Sequence, residues 1–215
     1  MGNGIKRVHQ IHAKIECVAT DLSPAYTAAI REAFPDAVLV YDHFHVIKMF
    51  NEVIDETRKR IYREIKDKTA RKALKGIRYI LLKRPENLNS SPNEPERLRQ
   101  ALESNEDLSK IYILKEDFNR LWSQPDKTTA RSHLQEWLEF AYSLEIKEFA
   151  KFCNKFKKHI EYVLNFYDSP ISTGPLEGIN NKIKTLKRQS YGFRDAEYFA
   201  LKILALHRSR YALVG

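Results

Sequence analysis

A chain of 215 residues with 43% hydrophobic and 30% charged residues is large enough to bury a core, as one domain or one domain with a large insertion. No apolar run approaches the roughly 20 residues of a membrane span, MGNGIKRVHQIHAKIE lacks the apolar stretch of a secretory leader, and Cys17 and Cys153 form neither a CxxC pair nor a disulfide framework. These features predict a cytoplasmic protein with two ordinary buried thiols.

The net charge of +9 is unevenly spread. Lys48–Arg84 holds 13 Lys/Arg against 5 Asp/Glu, residues 85–150 hold 8 against 13, and residues 182–210 hold 8 against 2. Two basic segments around an acidic middle suit either a polyanion-binding face or charged helix faces in solvent.

In chain order, IECVATD (residues 15–21) is a short β-rich run ending on Asp21. Ser23 is placed to cap a helix with Pro24 at its first position, and Ala25, Ala29, Ile30, Ala33 and Phe34 give that helix an apolar face. Pro35 and Asp36 end it, and AVLVYD follows, a second strand closing on Asp42. Strand, short helix and strand imply two parallel strands with a right-handed crossover. Both acids then fall at carboxyl ends of strands, where active sites of open α/β sheets gather.

Val46, Ile47, Phe50, Val53, Ile54, Ile61 and Ile65 next recur at helical spacing. RPENLNSSPNEPE (residues 84–96) reads as a loop. Helical patterns resume with Leu98 and Leu102, then Ile111, Leu114, Phe118 and Leu121, then Leu134, Trp137, Leu138 and Tyr142, their apolar stripes most simply core. One helix is predicted from about Ile146 to Phe166, ended by YDSPISTGP. Pro175 opens the next and places Glu177 in its first turn. A last helix follows GFRD with Tyr198, Leu201, Ile203, Leu204 and Leu206.

Three stretches carry chemistry: VATDLSPAY, FPDAVLVYDHFHVIK and STGPLEGINNKIKTLKRQSYGFRD. In this order, over nearly the whole chain, they resemble the ISL3-type bacterial insertion-sequence transposases. The resemblance implies DNA transposition by an RNase H-like core with an Asp-Asp-Glu triad and divalent metal, Mg²⁺ or Mn²⁺. Asp21 matches the family's second aspartate and Glu177 its glutamate, which makes both expected metal ligands and catalytic residues. Two ions about 3.5–4 Å apart clamp the attacking and leaving oxygens of a phosphodiester, and hard carboxylate oxygens suit them. The carboxylates of Asp21 and Glu177 are therefore expected to meet, although 156 positions separate them.

The family's first aspartate lies well upstream of its second, whereas residues 1–20 contain no aspartate. The expectation is a C-terminal portion of a transposase, truncated and inactive alone, with the alternatives of a non-catalytic DNA-binding remnant or regulator, or a degraded gene product. The expected architecture is α/β but mainly α overall. It comprises a partial RNase H-like segment over residues 1–48, a helical insertion over 49–168, and C-terminal helices over 169–215 that complete the catalytic core. The bare edge of the Asp21 strand predicts self-association.

Asp42 is a further catalytic candidate, either touching a metal or holding structure beside the site. His43 and His45 form an H-x-H pair without the two further ligands zinc requires, and His45 is a candidate to contact DNA or orient a carboxylate. Asn180 and Asn181 either face solvent or bind phosphate. Lys182, Lys184, Lys187, Arg188 and Arg194 are candidate DNA contacts, of which Lys184, Lys187 and Arg188 share a helix face by their spacing. Tyr191 and Phe193 flank Gly192 in a turn, where they stack on a base or simply pack. Insertion-sequence ends are the expected DNA partner.

Overall fold

The computed structural model describes residues 14–90 and 93–208. They form two compact units, one ending at Ile171 and one starting at Ser172.

The first unit opens on β1 (Cys17–Thr20), α1 (Pro24–Ala33) and β2 (Val38–Tyr41). The strands pair in parallel, Cys17 opposite Val38 and Thr20 opposite Tyr41. Ser23 sits at the start of α1 with Pro24 inside it, but its side chain makes no capping bond. Instead the Asp21 carboxylate accepts the Ser23 N–H at 3.2 Å. Leu39, Val40 and Tyr41 are buried, whereas β1 is half-buried up to Thr20. Among the described residues β1 pairs only with β2.

The helical body follows: α2 (His43–Glu64), α3 (Lys68–Leu74), α4 (Arg78–Leu82), α5 (Glu94–Glu103), α6 (Glu106–Arg120), α7 (Lys127–Ser143), α8 (Lys147–Phe156) and α9 (Ile160–Leu164). Asp67, Asn105 and Asp126 cap α3, α6 and α7 by accepting backbone N–H groups, which satisfies donors that a helix start leaves orphaned. The stripes read from the sequence meet in an aromatic cluster. Phe50 of α2 lies 4.3 Å from Phe118, centroid to centroid, and 5.3 to 5.7 Å from Trp137, Phe149 and Phe152. The Trp137 indole donates to the Leu114 carbonyl at 2.9 Å, so its polar edge is satisfied in the core. Burial pushes the Cys153 thiol up to about 12; Cys17 is only half-buried.

The single helix expected over Ile146–Phe166 is broken. A 3₁₀ turn at Lys157–His159 separates α8 from α9, and another covers Asn165–Tyr167. Tertiary contacts override the periodicity: His159 and Tyr162 pack on Tyr41 at 5.3 and 5.0 Å. Asn165 donates to the Leu39 carbonyl at 2.9 Å, which occupies a β2 backbone group that β1 does not use. Lys115 is 1% exposed and donates to the Leu81 and Lys83 carbonyls at 3.0 and 2.7 Å, fastening α6 to the end of α4.

The second unit contains α10 (Gly174–Gln189) and α11 (Ala196–Arg208). None of its described side chains is buried. Local devices shape it instead. Pro175 opens α10, and Asp195 caps α11 by accepting the Glu197 and Tyr198 N–H groups at 2.8 and 3.0 Å. No helix among the described residues is long and apolar enough to cross a membrane.

Candidate active-site acids and nucleic-acid interface

The parallel register carries Asp21 and Asp42 out of neighbouring strands, and the Asp42 N–H donates to the Thr20 carbonyl at 2.9 Å. Sequence alternation leaves their side-chain directions open; the structure separates them. Asp21 is half-buried, with one carboxylate oxygen on the Ser23 N–H. Its charge is felt at the buried Tyr41 hydroxyl, which donates to or accepts from Thr27 at 2.8 Å and is raised chiefly by its own burial.

Asp42 is fully buried. It is the N-cap of α2, accepting the Phe44 N–H at 2.8 Å. His45 Nδ1 lies 3.6 Å from the same oxygen, close enough for charge but long for a hydrogen bond. A buried capping carboxylate is a structural group that also fixes where α2 leaves the strand edge. His43 packs, tilted, against the rings of Phe44, Trp122 and Phe166. Burial holds its imidazole below the ordinary range, against the pull of Asp42. Among the described residues no group of three His, Cys, Asp or Glu is arranged to hold a metal ion.

In the second unit Glu177 is exposed in the first turn of α10, where a carboxylate faces the positive end of the helix dipole. Asn180, Asn181, Lys182, Lys184, Lys187 and Arg188 are exposed, while Ile179, Ile183 and Leu186 turn to the half-buried side. Positions 177, 180, 181, 184, 187 and 188 follow one another at i, i+3, i+4 spacing, so they share a face. Lys182 lies off it. A Cβ at Gly178 would meet nothing within 4 Å, so packing does not call for glycine there. None of Lys182, Lys184, Lys187, Arg188 and Arg194 forms an ion pair among the described residues.

The first unit differs. Asp55, 4% exposed, holds Arg58 at 2.7 Å, Lys59 at 2.9 Å and Arg78 at 3.3 Å. Arg60 reaches Glu64 and Glu148, each at 2.9 Å, and Lys83 reaches Glu94 at 2.7 Å. Arg58, Lys59, Arg60, Arg78 and Lys83 of the basic Lys48–Arg84 segment are therefore folded against carboxylates, some of them from the acidic middle of the chain. Pairing of this kind is invisible to a count of charges along the sequence.

The site residues are thus two strand-end acids, one of them a buried cap, and a Pro-opened helix that carries an exposed glutamate and cations unpaired among the described residues. A family model described as Transposase, of the DDE ISL3 type, matches residues 5–203, and the chain belongs to that family. It is 36% identical over 194 residues to the transposase for insertion sequence element IS1001 of Bordetella parapertussis, an alignment covering 89% of this chain and 47% of the relative. It is 26% identical over 226 residues to the transposase for IS1557 of Mycobacterium tuberculosis, covering 94% and 50%. The chain thus spans about half the length of these curated relatives. A 52-residue stretch is 44% identical to part of a protein named ATP-dependent protease from Lactococcus lactis, covering 24% of this chain and 17% of that one; so short a segment transfers no function. No solved structure matches the chain.

Proposed function

We propose that this chain is the part of a DDE transposase that carries the second aspartate and the glutamate of its triad, Asp21 and Glu177, with the DNA-contacting helix α10. The observation that supports this best is that the two residues matching the family's acids are both reachable from solvent, whereas Asp42 between them in sequence is buried in a capping role. The strand–helix–strand segment is read as part of an RNase H-like core, with residues 49–168 as its helical insertion and 169–215 as the helices that complete it.

The donor set fits a divalent ion in kind, since carboxylates are the hard ligands that Mg²⁺ or Mn²⁺ takes. Asp21 and Glu177 would hold it, and when bound it supplies polarisation of a phosphodiester oxygen. The chain's own contribution is positional. The end of β1 and the Ser23 N–H orient the Asp21 carboxylate, the start of α10 favours the negative charge of Glu177, and Lys184, Lys187 and Arg188 hold phosphates beyond it. The DNA substrate is read as an insertion-sequence end. Two acids of the triad, Asp21 and Glu177, are read in this chain, so the chain by itself is proposed not to cut or join DNA. Its unpaired cations favour a second reading, DNA binding without catalysis, as a remnant or a regulator of a full-length transposase.

The experiment is Mn²⁺ binding followed by its paramagnetic signal, paired with a strand-cleavage assay on terminal-repeat DNA. Weak binding lost in Asp21→Asn and in Glu177→Gln but kept in Asp42→Asn, with no cleavage, is the expected result. Binding indifferent to Asp21 and Glu177 would overturn their assignment. Metal-dependent cleavage abolished by Asp21→Asn would overturn the inactivity, and loss with Asp42→Asn would make Asp42 a ligand.

A further inference from the structure

The C-terminal end of α10 is a hydrogen-bonded turn with an unusual occupant. The Gly192 N–H donates to the Lys187 carbonyl at 2.9 Å and the Tyr191 N–H to the Arg188 carbonyl at 3.1 Å. This pair of bonds is the Schellman arrangement, whose first residue past the cap adopts the left-handed conformation and is usually glycine. Here that residue is Tyr191, at φ 49°, followed by Gly192 at φ 98°. A non-glycine side chain disfavours that conformation, and a bulky one there is an outlier.

Burial does not compensate. Tyr191 is 102% exposed, and among the described residues its ring meets no other ring. Phe193, two residues on, behaves as packing aromatics do: it stacks on Phe199 at 4.7 Å. Tyr191 is held away from the unit by a turn whose bonds fix its backbone. It extends the exposed face that carries Lys184, Lys187 and Arg188. These four residues and Gly192 line a shallow cavity of about 530 Å³.

A flat apolar ring beside three cations that are unpaired among the described residues matches one kind of ligand surface. It suits a nucleotide whose base is out of the stack, its π-face on the tyrosine and its flanking phosphates on the cations. A perfect duplex offers the phosphates but keeps its base faces stacked on one another.

We infer that Tyr191 is a stacking platform for an unpaired base of a DNA strand, seated by Lys184, Lys187 and Arg188 on the neighbouring phosphates, so that this helix end favours distorted or single-stranded DNA over perfect duplex. The inference rests on the DNA-binding reading above and adds what part of the DNA is held.

The test uses the full chain and fluorescence anisotropy with DNAs of one sequence: a perfect duplex, the same duplex with one extrahelical nucleotide, and the single strand, with single-stranded RNA as a fourth arm. The chain is expected to bind the duplex carrying the extra nucleotide about tenfold more tightly than the perfect duplex, a typical worth of one stacked base. Tyr191→Gly should abolish that preference, leave perfect-duplex affinity unchanged and not lower the melting temperature, since glycine suits the left-handed position. Tyr191→Trp should restore the preference. A preference that survives Tyr191→Gly, its absence from the unaltered chain, or tighter binding of RNA than of DNA would overturn the inference while duplex binding stands. Absence of binding to every DNA would overturn both this inference and the DNA-binding reading beneath it.

Discussion

Two groups of cations, one in each unit, are treated in opposite ways. In the first, three cations surround the buried Asp55 carboxylate, and Arg60 and Lys83 close on carboxylates brought from as far as Glu148. In the second, Lys184, Lys187 and Arg188 share an exposed face and meet no carboxylate among the described residues. Along the sequence the two segments look equally basic. A cation already neutralised by a partner releases few counterions when a phosphate arrives, whereas an unpaired one contributes fully. Charge density along a chain thus proposes an anion-binding surface, and pairing decides it.

If this contrast holds, substitutions in the first unit should cost stability and leave DNA affinity intact below the melting transition. Phe50→Ala is the largest expected loss, about 4 kcal/mol, because it empties the centre of the Phe118, Trp137, Phe149 and Phe152 cluster. Chemical denaturation measures it; a loss well under half of that would mean the cluster is not the core's centre.

Asp55→Ala comes next, at about 3 kcal/mol, since it leaves Arg58, Lys59 and Arg78 facing one another around a buried gap. Burial pushes the Asp55 carboxyl up, but the hydrogen bonds from Lys59 and Arg58 and the charges of Arg58 and Arg78 outweigh it and hold the group below its ordinary value. A carboxyl lowered by folding contributes stability that is complete above the unfolded value of 3.8 and is lost as pH falls through the folded value. Melts at pH 5 and pH 3 should therefore show a larger drop for the unaltered chain than for Asp55→Asn. Equal drops would show that Asp55 is not tied to its cations.

Smaller still is Asp42→Ala, about 1 kcal/mol for a lost cap, with Asp42→Asn nearly neutral because asparagine caps as well. A severe loss on Asp42→Asn would mean that its charge, not its capping oxygen, is what the site needs.

Much of the fold is legible in the sequence because local chemistry sets it. Pro24 and Pro175 open their helices where the sequence places them, both strands end on their acids, and the Phe118, Trp137 and Phe50 stripes are core. What is not legible depends on distant partners. The break at His159 comes from packing on Tyr41, a neighbour no local window contains. Lys115 reads as a surface cation and is buried because two carbonyls from the Leu81–Lys83 turn await it. Asp42 and Asp21 look equivalent in sequence and part company only when one caps α2. Around Gly192 the turn is plain from the glycine itself, yet the left-handed residue that matters is its neighbour Tyr191, which no sequence rule would place there.

Phosphate binding is expected to belong to α10 and not to the paired cations of the equally basic Lys48–Arg84 segment. Duplex affinity measured against salt tests this for the unaltered chain, for a Lys184→Glu/Lys187→Glu/Arg188→Glu variant, and for a Lys59→Gln/Arg78→Gln/Lys83→Gln variant of cations paired within the first unit. The slope of log K on log salt should shrink by about three units in the α10 variant, near one for each phosphate no longer neutralised, and stay unchanged in the variant of paired first-unit cations. An unchanged slope in the α10 variant, or the same decrease in both, would contradict the assignment of DNA binding to α10.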